Sequence, residues 1–308
     1  MGDLLPARLA LLNALRDCGY AFTTPTPATH ARIVARPGKT VARDLRDVLG
    51  WSLPFAPDAI PYAILDLMRR AEMLEQRGDL FASRYRVSTL GADLVLHSAY
   101  PTTQQDAVFF GPDSYRFATF VRGELLQMRA IEHLVDIGAG AGAGALTALR
   151  SADIAQLTLT DINRTALDLA RVNLAFAGRT EGAAYIVCDA LAGVDKPADV
   201  IIANPPYIID AARRAYRDGG SMHGAEVSLA WAQAAAEKLT AGGVLLLYTG
   251  AAIVNGEDRF KAALHQKLTG FDINYRELDP DVFGEELERP AYADVERIAV
   301  VGVTAMKR

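Results

Sequence analysis

The sequence predicts an α/β fold: a seven-stranded, mostly parallel sheet with helices on both faces, preceded by a smaller helical domain. Three observations support this prediction. Short aliphatic or β-branched runs alternate with helical segments over the last two thirds of the chain, which is typical of βαβ units. A glycine-rich stretch follows the first run. Acidic residues end the next two runs, at the sheet edge where ligands of parallel sheets collect.

The composition is that of a folded protein with two domains. Of the 308 residues, 51% are hydrophobic and 22% are charged, and a chain of this length commonly forms two cores. No apolar run is long enough for a bilayer and no signal sequence is recognisable, so we expect a cytoplasmic protein without a membrane partner. Cys18 and Cys188 are the two cysteines, which predicts neither a disulfide framework nor a metal site.

Helical spacing dominates the beginning of the chain. Apolar residues recur every three to four positions over residues 7–18, which predicts a first helix. Thr40 is expected to cap a helix over residues 41–49. Pro61 occupies a first-turn position, and the apolar pattern behind it predicts a longer helix that reaches Glu75.

Extended segments follow these helices. Residues 80–88 and 92–98 resemble the two strands of a hairpin. Helices followed by a hairpin predict a winged-helix-like domain over residues 1–105, with a polar, proline-marked linker before the second domain at residues 106–308. The strands of the second domain are predicted at residues 133–137, 157–162, 184–188, 200–203, 244–248, 271–278 and 297–303.

The glycine-rich stretch lies between a strand and a helix. Gly138, Gly140 and Gly142 allow the backbone to approach a ligand closely, and the helix amino terminus behind them offers free N–H groups. Ala139 and Ala141 belong to the same ligand-binding loop. The alternative interpretation is a glycine and alanine helix start selected only for tight packing.

Acidic residues end the second and third predicted strands. Asp161 is placed to accept both hydroxyls of a nucleoside ribose, or else to cap the helix that begins near Thr165. Asp189 is placed to meet an adenine amino group, or else is a solvated strand end. We assign their neighbours Ile162 and Ala190 to the same nucleoside site.

Asp136 precedes the first glycine by two residues. A carboxylate there suits a positively charged part of the ligand, such as an amino or sulfonium group. Nicotinamide dehydrogenases do not require this carboxylate. The hypothesis of a dehydrogenase also predicts a proton-transferring residue near the cofactor, so it is the weaker alternative.

The fourth strand runs directly into Asn204, Pro205, Pro206 and Tyr207. Two prolines fix the backbone, so the Asn204 side chain and the Pro205 carbonyl become two acceptors directed at one point. They suit the NH₂ group of an amide or nucleobase, and Tyr207 would supply a stacking face. The alternative is a stiffened strand exit with a packed tyrosine.

These motifs, in this order and spacing, resemble the seven-stranded S-adenosylmethionine-dependent methyltransferases, specifically the small-domain group that contains the release-factor glutamine methyltransferases. The resemblance covers roughly residues 108–303 and includes the glycine-rich stretch 218–224. It implies a Rossmann-like sheet of order 3-2-1-4-5-7-6 with the last strand antiparallel, S-adenosylmethionine as cofactor, and N-methyl transfer. The cofactor residues it implies are Asp136, Gly138, Ala139, Gly140, Ala141, Gly142, Asp161, Ile162, Asp189, Ala190 and Asn204.

Two departures from this family concern the site. Glutamine methyltransferases usually carry Pro-Arg-x-Glu-Thr before the first strand, whereas this chain has the segment 110–116, Phe-Gly-Pro-Asp-Ser-Tyr-Arg. The residue after Asp189 is often aromatic in relatives and packs on adenine, but here it is Ala190.

The acceptor is open between two macromolecules. The acidic second part of the chain and the stretch 218–224 favour a protein glutamine. An exocyclic amine of RNA or DNA is the alternative, because residues 1–100 carry a net charge of +2 and several arginines. A non-catalytic, cofactor-occupied module, with or without an accessory subunit, is the third hypothesis.

Other residues carry simpler interpretations. His223 is expected to be a surface or supporting residue, and Trp231 a core residue because its neighbours have helical spacing. The basic cluster after the tetrapeptide is expected to be a solvated face rather than a phosphate contact: Arg213, Arg214 and Arg217.

Overall fold

The computed structural model describes residues 3–128, 130–214 and 216–308. The helices are α1 (Leu5–Asp17), α2 (Pro27–Val34), α3 (Leu45–Leu49), α4 (Tyr62–Arg70), α5 (Pro112–Leu125), α6 (Ala143–Ser151), α7 (Arg164–Phe176), α8 (Ser221–Gly224), α9 (Glu226–Lys238) and α10 (Arg259–Lys267). The strands are β1 (Leu74–Arg77), β2 (Leu80–Ser83), β3 (Tyr85–Leu90), β4 (Asp93–Ser98), β5 (Ile131–Ile137), β6 (Ile154–Asp161), β7 (Ala183–Val187), β8 (Ala198–Ala203), β9 (Leu239–Val254), β10 (Glu257–Asp258), β11 (Phe271–Asp279) and β12 (Arg297–Lys307).

The large sheet has the strand order β7-β6-β5-β8-β9-β12-β11, with the two-residue β10 paired to β9. Strands β5 to β9 pair in parallel, whereas β12 is antiparallel to both of its neighbours. Counted from β5 and without β10, this is the order 3-2-1-4-5-7-6. The predicted fold class and its antiparallel last strand are therefore confirmed.

Helices cover both faces of this sheet. Successive residues of β5 point to opposite sides, so Leu134 belongs to one apolar cluster and Val135 to the other. Helices α6 and α7 contribute to the first cluster, and α9 and α10 to the second. Because every central strand is covered on both faces, ligands can reach the sheet only at the ends of its strands.

The beginning of the chain folds into four helices and two separate hairpins, β1 with β2 and β3 with β4. Three local predictions are wrong here. Asp44, not Thr40, caps α3, because its side chain accepts from the Asp47 N–H. The helix behind Pro61 ends at Arg70, and Glu75 lies in β1. The predicted strand 80–88 is divided into β2 and β3 at Arg84.

The first hundred residues pack directly on the sheet domain. One apolar cluster includes Leu12 of α1, Leu96 of β4 and Leu169 of α7. The Arg150 guanidinium donates to both Asp93 oxygens, at 2.9 and 2.6 Å. The core is thus continuous across the boundary predicted at residues 105 and 106, and the division into two domains stays a prediction.

Candidate active site

A cavity of about 400 Å³ lies at the carboxyl ends of β5, β6, β7 and β8. This is within the roughly 300–1,000 Å³ typical of small-molecule sites. Most of the predicted site residues line it: Asp136, Gly138, Ala139, Gly140, Ala141, Asp161, Ile162, Asp189, Ala190, Asn204 and Pro206. Three predicted site residues lie outside the lining: Gly142, Pro205 and Tyr207.

Gly142 and Gly138 of the loop are required as glycines for different structural reasons. Gly142 begins α6 with φ +82°, and a Cβ there would lie 3.2 Å from Ala170 of α7. The tight-packing interpretation therefore applies to Gly142. At Gly138 a Cβ would lie 2.3 Å from the Trp231 ring, so this glycine keeps room for an aromatic side chain of α9.

The Asp161 carboxylate organises the loop and the next helix. One oxygen accepts from the Gly140 N–H at 2.9 Å and the other from the Asn163 N–H at 2.8 Å. Asn163, not Asp161, caps α7 by accepting from the Thr165 N–H. Asp161 therefore borders the cavity with lone pairs left over, since a carboxylate can accept about four hydrogen bonds.

Asp136 is a buried carboxyl beside the glycine loop. It is 1% exposed and accepts a single hydrogen bond, from the Ala145 N–H at 2.9 Å. Burial, with a smaller contribution from the negative charge of Asp161, raises the pKa of Asp136 to about 7. Among the residues that the structure describes, no cation pairs with Asp136, so this buried carboxyl suits a cationic ligand, which would favour its charged form.

The end of β7 contributes Cys188, Asp189 and Ala190 to the cavity. Ala190 has a left-handed backbone, with φ +44°. Its methyl group leaves the wall open where a larger side chain would project.

Asn204 and Pro206 face the cavity, but Tyr207 does not. The Tyr207 side chain is 6% exposed, and its ring lies against Gly250, where a Cβ would be 2.2 Å away. The Phe283 ring covers it edge-on at 5.8 Å. In this arrangement the Tyr207 ring is not available as the predicted stacking face for an acceptor, because neighbouring β9 and the segment after β11 enclose it.

A buried carboxyl that the sequence reasoning missed lies behind the tetrapeptide. Asp113, in the first turn of α5, accepts a hydrogen bond from the Tyr248 hydroxyl at 2.6 Å. Its carboxyl also borders Asn204 and Tyr207, and burial raises its pKa. The only sign of this carboxyl in the sequence was an aspartate in the segment that takes the place of the family's Pro-Arg-x-Glu-Thr.

Two stacked aromatic rings line the cavity. Phe109 and Tyr216 lie nearly parallel, with an interplanar angle of 6° and centroids 6.0 Å apart. The Tyr216 hydroxyl donates to the Thr102 carbonyl at 2.7 Å. Gln105 and Ala107 of the predicted linker also line the cavity, so the linker forms part of its wall, and no periodicity in the sequence indicated this.

The basic cluster after the tetrapeptide is not the solvated face that was predicted. Arg214 makes a bidentate pair with the buried Asp210, at 2.7 Å to each oxygen, which lowers the pKa of Asp210 to about 2. Arg217 pairs with the buried Glu286. Arg213 alone of the three lines the cavity.

His223 and Trp231 differ in outcome. His223 lies outside the cavity lining, where its Nε2 is 3.0 Å from Asp294, in keeping with a surface role. Trp231 is half-buried and lines the cavity, so its interpretation as a core residue is wrong in this respect.

Within residues 3–128, 130–214 and 216–308, no three His, Cys, Asp or Glu side chains are grouped closely enough to hold a metal ion. None of the helices in these ranges has the length and apolar character that a bilayer span requires.

Comparison with known proteins is consistent with this geometry. The family model described as methyltransferase small domain matches residues 104–266. A release factor glutamine methyltransferase of Bradyrhizobium diazoefficiens is 33% identical over 129 residues, which are 38% of this chain and 43% of that protein. Ribosomal RNA small subunit methyltransferase C of Haemophilus influenzae is 31% identical over 123 residues, which are 38% of this chain and 37% of that protein. The chain matches less than half the length of either relative.

The fold is also found in a solved structure. Trm5b of Pyrococcus abyssi superposes with a TM-score of 0.52 at 14% identity, over 93% of this chain and 79% of that chain. At this identity the likeness shows the fold alone. Because the family model matches more than half of the sequence, and the sheet order and glycine loop agree with it, the chain belongs to the methyltransferase small-domain family, in the class of seven-stranded S-adenosylmethionine-dependent methyltransferases.

Proposed function

We propose that this protein transfers a methyl group from S-adenosylmethionine to a planar nitrogen of a macromolecule, with a protein glutamine side chain as the favoured acceptor. One observation carries the proposal. Asn204 and Pro206, at the end of β8, open into the same cavity as the glycine loop and the carboxyls of Asp136 and Asp161. Donor and acceptor would therefore meet in one enclosed space.

The residues present fit the donor. Asp136 is a buried carboxyl with no cationic partner in the part of the chain that the structure describes, which suits the amino or sulfonium group. Asp161 has acceptor capacity left for ribose hydroxyls after its two backbone bonds. Gly140 has a φ angle of +54°, and a Cβ there would have only the Gly138 carbonyl oxygen within 4 Å, so the backbone at this glycine is open to close approach.

The acceptor nitrogen needs positioning more than it needs a base. When bound, the donor supplies a methyl group on a sulfonium that leaves as a neutral thioether. The Asn204 carboxamide oxygen would accept a hydrogen bond from the acceptor NH₂ group, which restores electron density to nitrogen and directs its lone pair at the methyl carbon. The Pro205 carbonyl, predicted as the second acceptor of this group, belongs to a buried residue outside the cavity lining. The new C–N bond leaves the nitrogen with one extra proton, which is acidic enough to pass to water.

Ion pairing near the motif supports a protein acceptor over a nucleic acid. Phosphate binding requires free cations, and each neutralised phosphate contributes to affinity by releasing counterions. Arg214 and Arg217, two of the three arginines that follow the motif, are instead paired with Asp210 and Glu286, whereas the exposed Arg213 lines the cavity. The similarity to release factor glutamine methyltransferases points to the same acceptor class.

A nucleobase amine is the second candidate, and one observation favours it. The nearly parallel rings of Phe109 and Tyr216 in the cavity lining would also suit a flat aromatic base. Similarity to a ribosomal RNA methyltransferase supports the same candidate.

Transfer of a labelled methyl group to a fractionated cell extract tests the proposal. We expect label in a protein band that resists nuclease, and mass spectrometry should locate it on a glutamine. Asn204→Ala protein is the matched control and should transfer no label above background. Label in adenine or guanine nucleosides would replace the glutamine proposal by the nucleobase candidate, and no transfer to either class of macromolecule would contradict both.

A further inference from the structure

The geometry points to Trp231 as the aromatic face on which the adenine ring of the methyl donor stacks. This inference rests on the proposed function, because it assigns a role within the same cavity. It concerns a residue that the sequence pattern assigned to the core, on a helix outside the glycine loop and the strand ends.

The first argument is the position of the indole. Trp231 lines the cavity that the Asp161 and Asp189 carboxyls also line. Its six-membered ring lies on Gly138, so closely that a Cβ there would be 2.3 Å from the indole. The ring is therefore held against the glycine loop, in the cavity that Asp161 and Asp189 also line.

The second argument is the rigidity of the helix that carries the ring. Leu229, Ala232 and Ala235 of α9 are buried against the sheet. Trp231 projects from the side of α9 between this apolar contact and the cavity, and it is half-buried. An aromatic ring on a fixed helix loses little conformational freedom when a ligand stacks on it.

The third argument is the small side chain of Ala190, which lines the same cavity. Ala190 and Trp231 are both half-buried residues packed against the apolar layer on this side of the sheet. Ala190 follows Asp189 and offers only a methyl group to the cavity wall. A purine placed with its amino group at Asp189 needs an extended apolar face, and Trp231 is the largest side chain in the described lining that can provide one.

The chain provides its own optical reporter for this contact. It contains two tryptophans. Trp51 lies in an aromatic group with Phe22 and His30, at ring distances of 5.2 and 5.5 Å, and does not line the cavity. In the full-length variant Trp51→Phe, fluorescence therefore comes from Trp231 alone.

The experiment combines titration of this variant with substitutions of Trp231. The two probes are S-adenosylhomocysteine and adenosine. Adenosine is used at the concentrations that displace half of the bound S-adenosylhomocysteine. Both should change Trp231 fluorescence, because both contain the adenine ring. Trp231→Leu, which still covers Gly138, should weaken S-adenosylhomocysteine binding by about 5- to 100-fold, the usual range for losing one aromatic stack on a base. Trp231→Phe keeps an aromatic face and should lose less.

Gln233→Ala, an exposed change on the same helix, is the control for effects on α9 and should bind as the parent does. Equal affinity in Trp231→Leu and the parent would overturn the inference and leave the proposed function intact. A fluorescence change with S-adenosylhomocysteine but none with adenosine would also overturn it, since the ring would then contact another part of the donor. Failure of the parent protein to bind S-adenosylhomocysteine would instead contradict the proposed function.

Discussion

Asn204 and Tyr207 belong to one motif but have different surroundings. Asn204 faces the cavity, whereas the Tyr207 ring is enclosed by Gly250 and Phe283 and its hydroxyl has no hydrogen-bond partner. Substitution of Asn204 should therefore affect methyl transfer, whereas substitution of Tyr207 should affect the stability of the fold.

Asn204→Ala should lower methyl transfer by about a hundredfold or more, comparable with the loss of one preorganised polar group in an active site. Binding of S-adenosylhomocysteine should change little. Tyr207→Ala should instead lower the free energy of unfolding by about 3–5 kcal/mol, because it leaves a cavity under Phe283. Tyr207→Phe is the control for both and should retain stability and activity. Rates with purified acceptor and denaturant unfolding measure these effects, and wild-type transfer by Asn204→Ala would refute the proposed chemistry.

The raised pKa of Asp136 predicts pH-dependent cofactor binding. Its pKa is about 7 in the folded protein, against an ordinary value near 4, so the carboxyl is protonated below pH 7. A cationic ligand binds the ionised form, so affinity for S-adenosylhomocysteine should rise about tenfold from pH 6 to pH 8 and then level off. The stability of the free protein depends on pH in the opposite sense. Burial of the Asp136 carboxyl lowers the free energy of unfolding progressively as pH rises from about 4 to 7.

Calorimetry across this pH range checks the prediction. Asp136→Asn is the control, because it keeps the size of the side chain and should abolish the rise. A rise of equal size in Asp136→Asn would assign the pH dependence to another group, with the neighbouring Asp161 as the first to test.

At the residue scale, the sequence was informative wherever a motif fixes both residue type and spacing. The glycine loop, Asp136, Asp161, Asp189 and Asn204 were all predicted, because they follow strands at one sheet edge. Trp231 was missed because helical spacing cannot tell which flank of a helix meets a cavity. The ion pairs of Arg214 and Arg217 were missed because their partners are set by tertiary folding.

At the element scale, the segment after the tetrapeptide is held by buried charges. Glu286, in the short 3₁₀ helix Gly284–Glu288, is 1% exposed and pairs with Arg217 and Arg289. Arg217 belongs to the segment that also carries Tyr216 to the cavity wall. The buried Glu286 carboxylate thus holds in place the segment that carries Tyr216 to the cavity wall.

Glu286→Ala should reduce the free energy of unfolding by about 1.5–3 kcal/mol, the usual range for hydrogen bonds to charged groups, since half-buried Arg217 would keep only Asp210, at 3.9 Å, as a counter-charge. The segment around residues 209–218 should also become more susceptible to limited proteolysis. Glu285→Ala, a change of an exposed neighbour, is the matched control and should do neither. Denaturant unfolding and the position of the first proteolytic cleavage measure the two effects, and unchanged values in Glu286→Ala would show that the pair is dispensable.

Elements with long apolar runs were predictable and their ends were not. All seven predicted strands of the sheet are present. The central strands are largely apolar because they are covered on both faces, whereas the edge strand β11 alternates half-buried and exposed residues. The helix behind Pro61 was predicted too long, because Leu74 continues its apolar pattern although the chain leaves the helix at Arg70 to form a hairpin. The local pattern of apolar residues does not show which segments pair in a hairpin.

At the scale of the whole molecule, a single amide side chain joins the two parts of the chain to the glycine loop. Asn173 of α7 is fully buried, accepts from the Leu96 N–H at 2.8 Å, and donates to the Leu96 and Ala141 carbonyls at 3.0 and 2.9 Å. It thus links β4 to the loop proposed to bind the cofactor.

Asn173→Ala should lower the free energy of unfolding by roughly 2–4 kcal/mol, because it leaves buried backbone groups of Leu96 and Ala141 without partners. It should also weaken S-adenosylhomocysteine binding, since Ala141 lines the cavity. Asn274→Ala, on the exposed edge strand β11, is the control and should change neither. Unfolding curves and calorimetry give the two values, and a fully stable Asn173→Ala protein with normal affinity would contradict the linkage.

The bonds of Asn173 have a practical consequence for dissecting the protein. A fragment that starts at residue 106 would lack Leu96 and Asp93, so both Asn173 and Arg150 would lose their partners on β4. Such a truncated protein would have a disturbed glycine loop, so a loss of its activity would not by itself assign acceptor recognition to the missing residues. Deletion mapping would then confuse donor affinity with acceptor choice, and only point substitutions on the outer surface of the first hundred residues can separate them.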